Sequence, residues 1–182
     1  MAWFAGQRVV LRAWEHEDVR AAWEAAQSPE IEGDQMRDWL APPKSLQEME
    51  QEFDDRLAEG AADAARLVID VEGRPIGDIN LFHINERNRT AHAGMGIWHR
   101  ADRGKGYGFD ALRTLMRWAF MHQNLHRIEL SVDPENAAAI RIYEKCGFVL
   151  EGRRREQHFD NGAWHDELVM GLLRADFERA GG

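Results

Sequence analysis

Between an apolar run ending at Trp98 and a helix-patterned run from Phe109 to Gln123 lies Arg103-Gly104-Lys105-Gly106-Tyr107-Gly108. Three glycines let the backbone approach a ligand closely and adopt angles that a side chain forbids. The first N–H groups of the helix that follows have no partner within it and carry the positive end of its dipole. The chemistry available to such a turn is phosphate binding, with Arg103 and Lys105 adding positive charge. Spacing excludes two common versions of it. Counted from Gly104, the dinucleotide fingerprint needs a glycine at 109, where Phe109 stands, and a P-loop lysine must precede Ser or Thr, whereas Lys105 precedes Gly106. Neither NAD nor a nucleoside triphosphate is supported. The single cysteine, Cys146, has no histidine near it in sequence and reads as a small packed residue beside Gly147.

The elements that must position this loop follow from periodicity. Gln7 to Trp14 reads as a strand, and Glu15 to Asp18 opens a helix carrying Val19, Ala22, Trp23 and Ala26 at helical spacing, stopped by Ser28-Pro29. Glu30 to Pro43 is acidic and loop-like. Ser45-Leu46-Gln47-Glu48 is a capping box for a second helix to about Ala58, with Gly60 as its stop. Leu67–Val71 and Pro75–Phe82 form a hairpin about Glu72-Gly73-Arg74, and Asn85 to Arg89 reverses the chain into a fourth strand, Thr90–Trp98. Asp110 and Arg113 can pair on the outside of the helix after the loop. Then come a strand at Arg127–Val132, a short helix at Ala137–Lys145, and two strands, Phe148–Phe159 and Trp164–Leu172, joined by the hairpin signal Asp160-Asn161-Gly162. A meander feeding a strand–helix–strand crossover gives a mixed, mostly antiparallel sheet of about seven strands flanked by about four helices, an α/β chain of the α+β type. With no repeat or linker in sight, residues 1–182 read as a single domain.

Composition narrows the function. A net charge of −9 disfavours nucleic acid and suits a cationic partner such as an amine. One cysteine permits no intrachain disulfide and no cysteine-rich zinc site, so no metal is expected. Without an apolar run of spanning length, no membrane association is expected and the chain reads as cytoplasmic. Arg153 to Arg155 alternate across a strand and suit the surface or a homodimer contact rather than a nucleic acid.

Arg103-x-x-Gly106-x-Gly108 resembles the acyl-CoA pyrophosphate loop of the GNAT superfamily of N-acetyltransferases. Asp133-x-Glu135-Asn136 and Ala139-Ile140-x-x-Tyr143-x-Lys145-x-Gly147-Phe148 resemble the family's second block, and the likeness covers Gln7 to Phe177. His126-Arg127-Ile128-Glu129-Leu130 and the last hairpin look most like the branch of ribosomal-protein N-terminal and spermidine acetyltransferases.

The resemblance implies an enzyme moving acetyl from acetyl-CoA to a primary amine. The preferred acceptor is a protein α-amino group, with a polyamine or other small cationic amine as the alternative. A non-catalytic acyl-CoA-binding sensor is the reading of a different class. It implies that the fourth strand splays from its neighbour and lends Met95, Gly96, Ile97 and Trp98 to the pantetheine arm. Residues Arg103 to Gly108 would then hold the pyrophosphate, Asn136 the cofactor, and Tyr143 would protonate the departing thiolate. Many relatives carry a glutamate base where this chain has Ala91-His92-Ala93-Gly94. Strand alternation puts His92 on the face of Gly94 and Gly96, so His92 is the candidate base, with Glu86 in the preceding loop as the other and ordered water as a relay. The acidic stretch Glu30, Glu32, Asp34 and Asp38, beside Trp39, sits where the family's acceptor loop would be.

Overall fold

Seven strands build one sheet, in the order β1-β2-β3-β4-β5-β7-β6. The computed structural model describes residues 4–27, 44–59, 65–160 and 162–181. The strands are β1 (Val10–Arg12), β2 (Ala65–Val71), β3 (Arg74–Asn85), β4 (Thr90–Ile97), β5 (Arg127–Val132), β6 (Val149–Asp160) and β7 (Ala163–Leu173). The helices are α1 (His16–Ala26), α2 (Leu46–Glu59), α3 (Tyr107–Met121), α4 (Ala137–Cys146) and α5 (Arg174–Arg179). The stops at Ser28-Pro29 and Gly60, the acidic stretch from Glu30 to Pro43 and the turn residue Asn161 lie outside the described residues.

The elements expected from sequence are present, with three differences. The first strand is short because Gln7, Arg8 and Val9 give their backbone N–H groups to the Asp110 carboxylate, at 3.0, 2.7 and 3.0 Å, instead of to a neighbouring strand. Asp110 therefore does not pair with Arg113, whose guanidinium donates to the Gly181 carbonyl. The fifth helix, α5, is too short to show a period; Phe177 is its buried residue and packs against Phe120 at 5.5 Å.

The main core lies between the sheet and α3. Leu112, Leu115, Met116, Ala119 and Phe120 are fully or almost fully buried with Ile79, Leu81, Ile128 and Leu172. Each of these side chains larger than alanine contributes about 1.5–3 kcal/mol on leaving water. A smaller cluster joins Ala22 and Ala25 of α1 to Trp98. As the capping box predicts, Ser45 and Glu48 exchange hydrogen bonds at the start of α2, and the Asn136 side chain accepts from the Ala139 N–H at 3.0 Å to open α4.

The pairing that matters most for function is between β4 and β5, the parallel pair. It spans three register positions, Thr90↔Arg127, Ala91↔Ile128 and His92↔Glu129. Beyond His92, β4 stays paired to β3 as far as Ile97, and β5 stays paired to β7 as far as Val132. The two strands thus diverge while each remains tied to its outer neighbour, and a V-shaped gap opens through the middle of the sheet.

Candidate active site

The gap widens into a cleft of about 1050 Å³, at the upper end of small-ligand sites and long enough for an extended ligand. One wall is β4, from His92 to Ile97; the other is Leu130, Ser131 and Val132 of β5. The chain leaves β4, makes a 3-10 turn at Arg100–Asp102, and enters α3 through the glycine loop. Gly104 and Gly106 have φ of 74° and 84°, in the left-handed region that glycine occupies without strain. Gly106 is the N-cap of α3 and has no side chain to take up the first N–H groups, which stay available to a ligand.

The loop is braced from outside. Asp102 is buried and accepts a bidentate pair from Arg74, at 2.8 and 2.8 Å, while Lys105 Nζ lies 3.5 Å away. The Arg74 guanidinium holds the Asp102 carboxyl below the usual carboxylate range. Arg8, from the segment before β1, donates to the Lys105 carbonyl at 2.8 Å.

Of the residues singled out from sequence, His92, Met95, Gly96, Ile97, Arg103, Gly104, Gly106, Tyr107, Gly108, Asn136 and Tyr143 all line this one cleft. Three are placed differently. Trp98 is buried in the small core and donates its indole N–H to Asp78 at 2.8 Å. Lys105 is exposed and turns toward Asp102 rather than lining the cleft. Glu86 is exposed in the β3–β4 turn and does not line the cleft, because the reversal that brings β4 beside β3 carries the turn outward. The Arg103 guanidinium folds back on the Ile97 carbonyl at 3.4 Å, at the end of β4.

His92 stands at the vertex of the V. Its ring lies 5.8 Å from Phe82 and edge-on to His83 at 5.5 Å, and its Nε2 is 3.6 Å from Glu129 Oε2. Tyr143 is buried on α4 against Phe148 and faces the cleft. An imidazole and a phenol therefore share one groove whose far end is a glycine-lined helix start. Cys146 is buried, and burial pushes its thiol up to about 12, which makes it a poor nucleophile.

Sequence reading missed several neighbours. Asp78 keeps one face on the cleft, yet the atoms packed around it push its carboxyl upward, with the Trp98 N–H opposing. Arg141 and Lys145 of α4 and the Arg154–Glu167 pair, at 3.1 Å, also line the walls. Helical spacing from Ala138 through Arg141 and Ile142 to Lys145 marks one face of α4 and was a usable signal. The approach of Arg74 to Asp102 had none.

A mixed sheet parted between its two central parallel strands, with a glycine loop leading from one of them into a helix, is the architecture of a GNAT acetyltransferase. The chain belongs to this family: the profile of the acetyltransferase (GNAT) domain matches residues 8–149. It is an acetyl-CoA-dependent N-acetyltransferase. Spermidine N(1)-acetyltransferase of Vibrio cholerae is 30% identical over 171 residues, covering 93% of this chain and 95% of the relative. The enzyme of the same name from Escherichia coli K12 is 29% identical over 170 residues, covering 93% and 88%. The crystal structure of the Vibrio cholerae spermidine N-acetyltransferase in complex with CoA and spermine superposes with a TM-score of 0.79 at 28% identity, covering 94% of this chain and 98% of that one. No cluster of three or more metal-ligating side chains occurs among the described residues, and no helix among them is long and apolar enough to cross a membrane.

Proposed function

We propose that the acceptor is a polyamine of the spermidine type, acetylated on a primary amine. The observation that carries this reading is the likeness to spermidine acetyltransferases over 93% of the chain, which extends well beyond the cofactor motifs. The net charge of −9 supports it, since an acidic surface draws a polycation toward the cleft. The protein α-amino acceptor preferred from sequence has weaker support, and the polyamine alternative replaces it as the main reading.

In this reading the N–H groups at the start of α3 and the loop from Arg103 to Gly108 hold the pyrophosphate of acetyl-CoA, and the unpaired edge of β4 at Met95 to Ile97 holds its pantetheine arm. The fit rests on the three register positions after which β4 and β5 part, leaving that edge without a strand partner. The thioester then lies toward the vertex. His92 takes a proton from the acceptor ammonium. The freed electron pair forms the C–N bond, the nitrogen sheds its second proton to solvent, the C–S bond breaks with its pair on sulfur, and Tyr143 gives its hydroxyl proton to that thiolate. The proton on His92 leaves to solvent, from which Tyr143 regains its own.

The test is acetyl transfer from acetyl-CoA to spermidine and spermine, set against a panel of peptides with free N-termini. Spermidine is expected to have the higher kcat/KM. Efficient peptide acetylation with no turnover of polyamines overturns the acceptor assignment.

A further inference from the structure

We infer that Glu129 is a positioning residue for His92, fixing the ring at the vertex and balancing the charge it acquires; this rests on the reading of His92 as the base. The two residues face each other in the last register pair before β4 and β5 part. Glu129 itself does not line the cleft, so it reaches the reaction only through the imidazole.

Its two oxygens are divided. Oε1 accepts from Arg127, whose Nε and Nη2 lie at 2.8 and 2.7 Å, while Oε2 faces His92 Nε2 at 3.6 Å. Arg127 does not need this second carboxylate, because Glu151 already accepts its Nη1 at 2.6 Å and makes a further contact with Nη2. One cation facing two carboxylates leaves the cluster with an excess negative charge. A proton taken by His92 neutralises that excess. Attraction between the imidazolium and Oε2 therefore appears when the amine has been deprotonated, and not before.

The walls around the ring make this orientation matter. Phe82 and His83 of β3 confine it from one side, and β3 breaks register between Phe82 and Asn85, where His83 has a φ of 51°. Such irregularities re-aim side chains next to active sites. Glu129 supplies the restraint from the β5 side.

The experiment compares kcat and KM for spermidine acetylation in His92→Ala, Glu129→Gln and the double variant, with melting temperatures recorded alongside. Glu129→Gln is expected to lower kcat by about tenfold, a fraction of a general base's effect. KM for acetyl-CoA should stay unchanged, and no further loss should appear in the His92→Ala background, because residues acting through one another are not additive. The ring ¹⁵N signals of His92, followed by NMR, should change in Glu129→Gln. Equal losses in both backgrounds, a wild-type kcat, or unaltered ring signals overturn the inference. Wild-type turnover by His92→Ala removes the base assignment itself, and the role of Glu129 with it.

Discussion

At the scale of residues, the division of labour between His92 and Tyr143 follows from where each ring sits. In the proposed mechanism the amine loses a proton at the vertex, where the half-exposed imidazole faces the groove, and the thiolate gains one from α4, where the phenol is buried. A neutral phenol placed against the departing sulfur is a competent proton donor to the thiolate as it forms. Tyr143→Phe is accordingly expected to reduce kcat about 100-fold or more while leaving acetyl-CoA affinity within about twofold. Steady-state kinetics together with calorimetric CoA binding checks this, and an unchanged kcat removes Tyr143 from the chemistry. Cys146 contributes packing: it is buried, and its thiol is raised out of the nucleophilic range.

At the scale of elements, the glycine loop works because a helix begins where a strand has lost its neighbour. β4 carries the chain along the open edge of the V, and after the turn at Arg100–Asp102 and the glycine loop α3 starts with Gly106 as N-cap. The loop is held from outside by Arg8 and by the Arg74–Asp102 pair, so it keeps its shape without a side chain packed inside it. Gly106→Asp places a side chain at a φ of 84° and a negative charge where the proposed function puts the phosphates. The backbone strain is about 1–2 kcal/mol, and CoA binding should weaken by about 100-fold or more from lost donors and repulsion. Titration calorimetry measures it, with the melting temperature as a check on folding; wild-type affinity sinks the loop assignment.

At the scale of the whole molecule, charge pairs tie distant segments together and make stability depend on pH. Arg74 belongs to the β2–β3 hairpin and Asp102 to the approach to the loop, and the pair holds the carboxyl below its ordinary value. A carboxyl whose folded pKa is depressed contributes stability that is fully present above its unfolded value, about 3.9, and is lost as pH falls through the folded value. Glu151, lowered by Arg127, acts in the same direction. Asp78, raised by burial, acts in the opposite direction: its contribution is present at low pH and lost as pH rises through its folded value. Asp102→Asn should lower the melting temperature at pH 7 and flatten its fall below about pH 4. Thermal unfolding across pH 2.5 to 7 (approximate limits set by the unfolded carboxyl range) reads both effects, and parallel curves for the two proteins would contradict the assignment.

The sequence by itself determined the order of the seven strands and the first four helices, the glycine loop, the capped start of α2, and the family. All of these are local: periodicity, turn chemistry and caps act over a few residues and leave their mark in the chain. It also brought His92 and Tyr143 forward, one by strand alternation and one by motif spacing. Only the tertiary structure decided which residues meet. Glu86 directly follows the end of β3 and looks close to the site, yet it is exposed in the turn, whereas Glu129, distant in sequence, stands 3.6 Å from the imidazole. Trp98 and Lys105, adjacent to cleft residues in the chain, turn to Asp78 and Asp102 instead. The reason is physical. The parting of β4 from β5 is fixed by the outer strands that hold each of them, and a pairing that stops after His92 is set by contacts across the whole sheet, which no window of sequence contains.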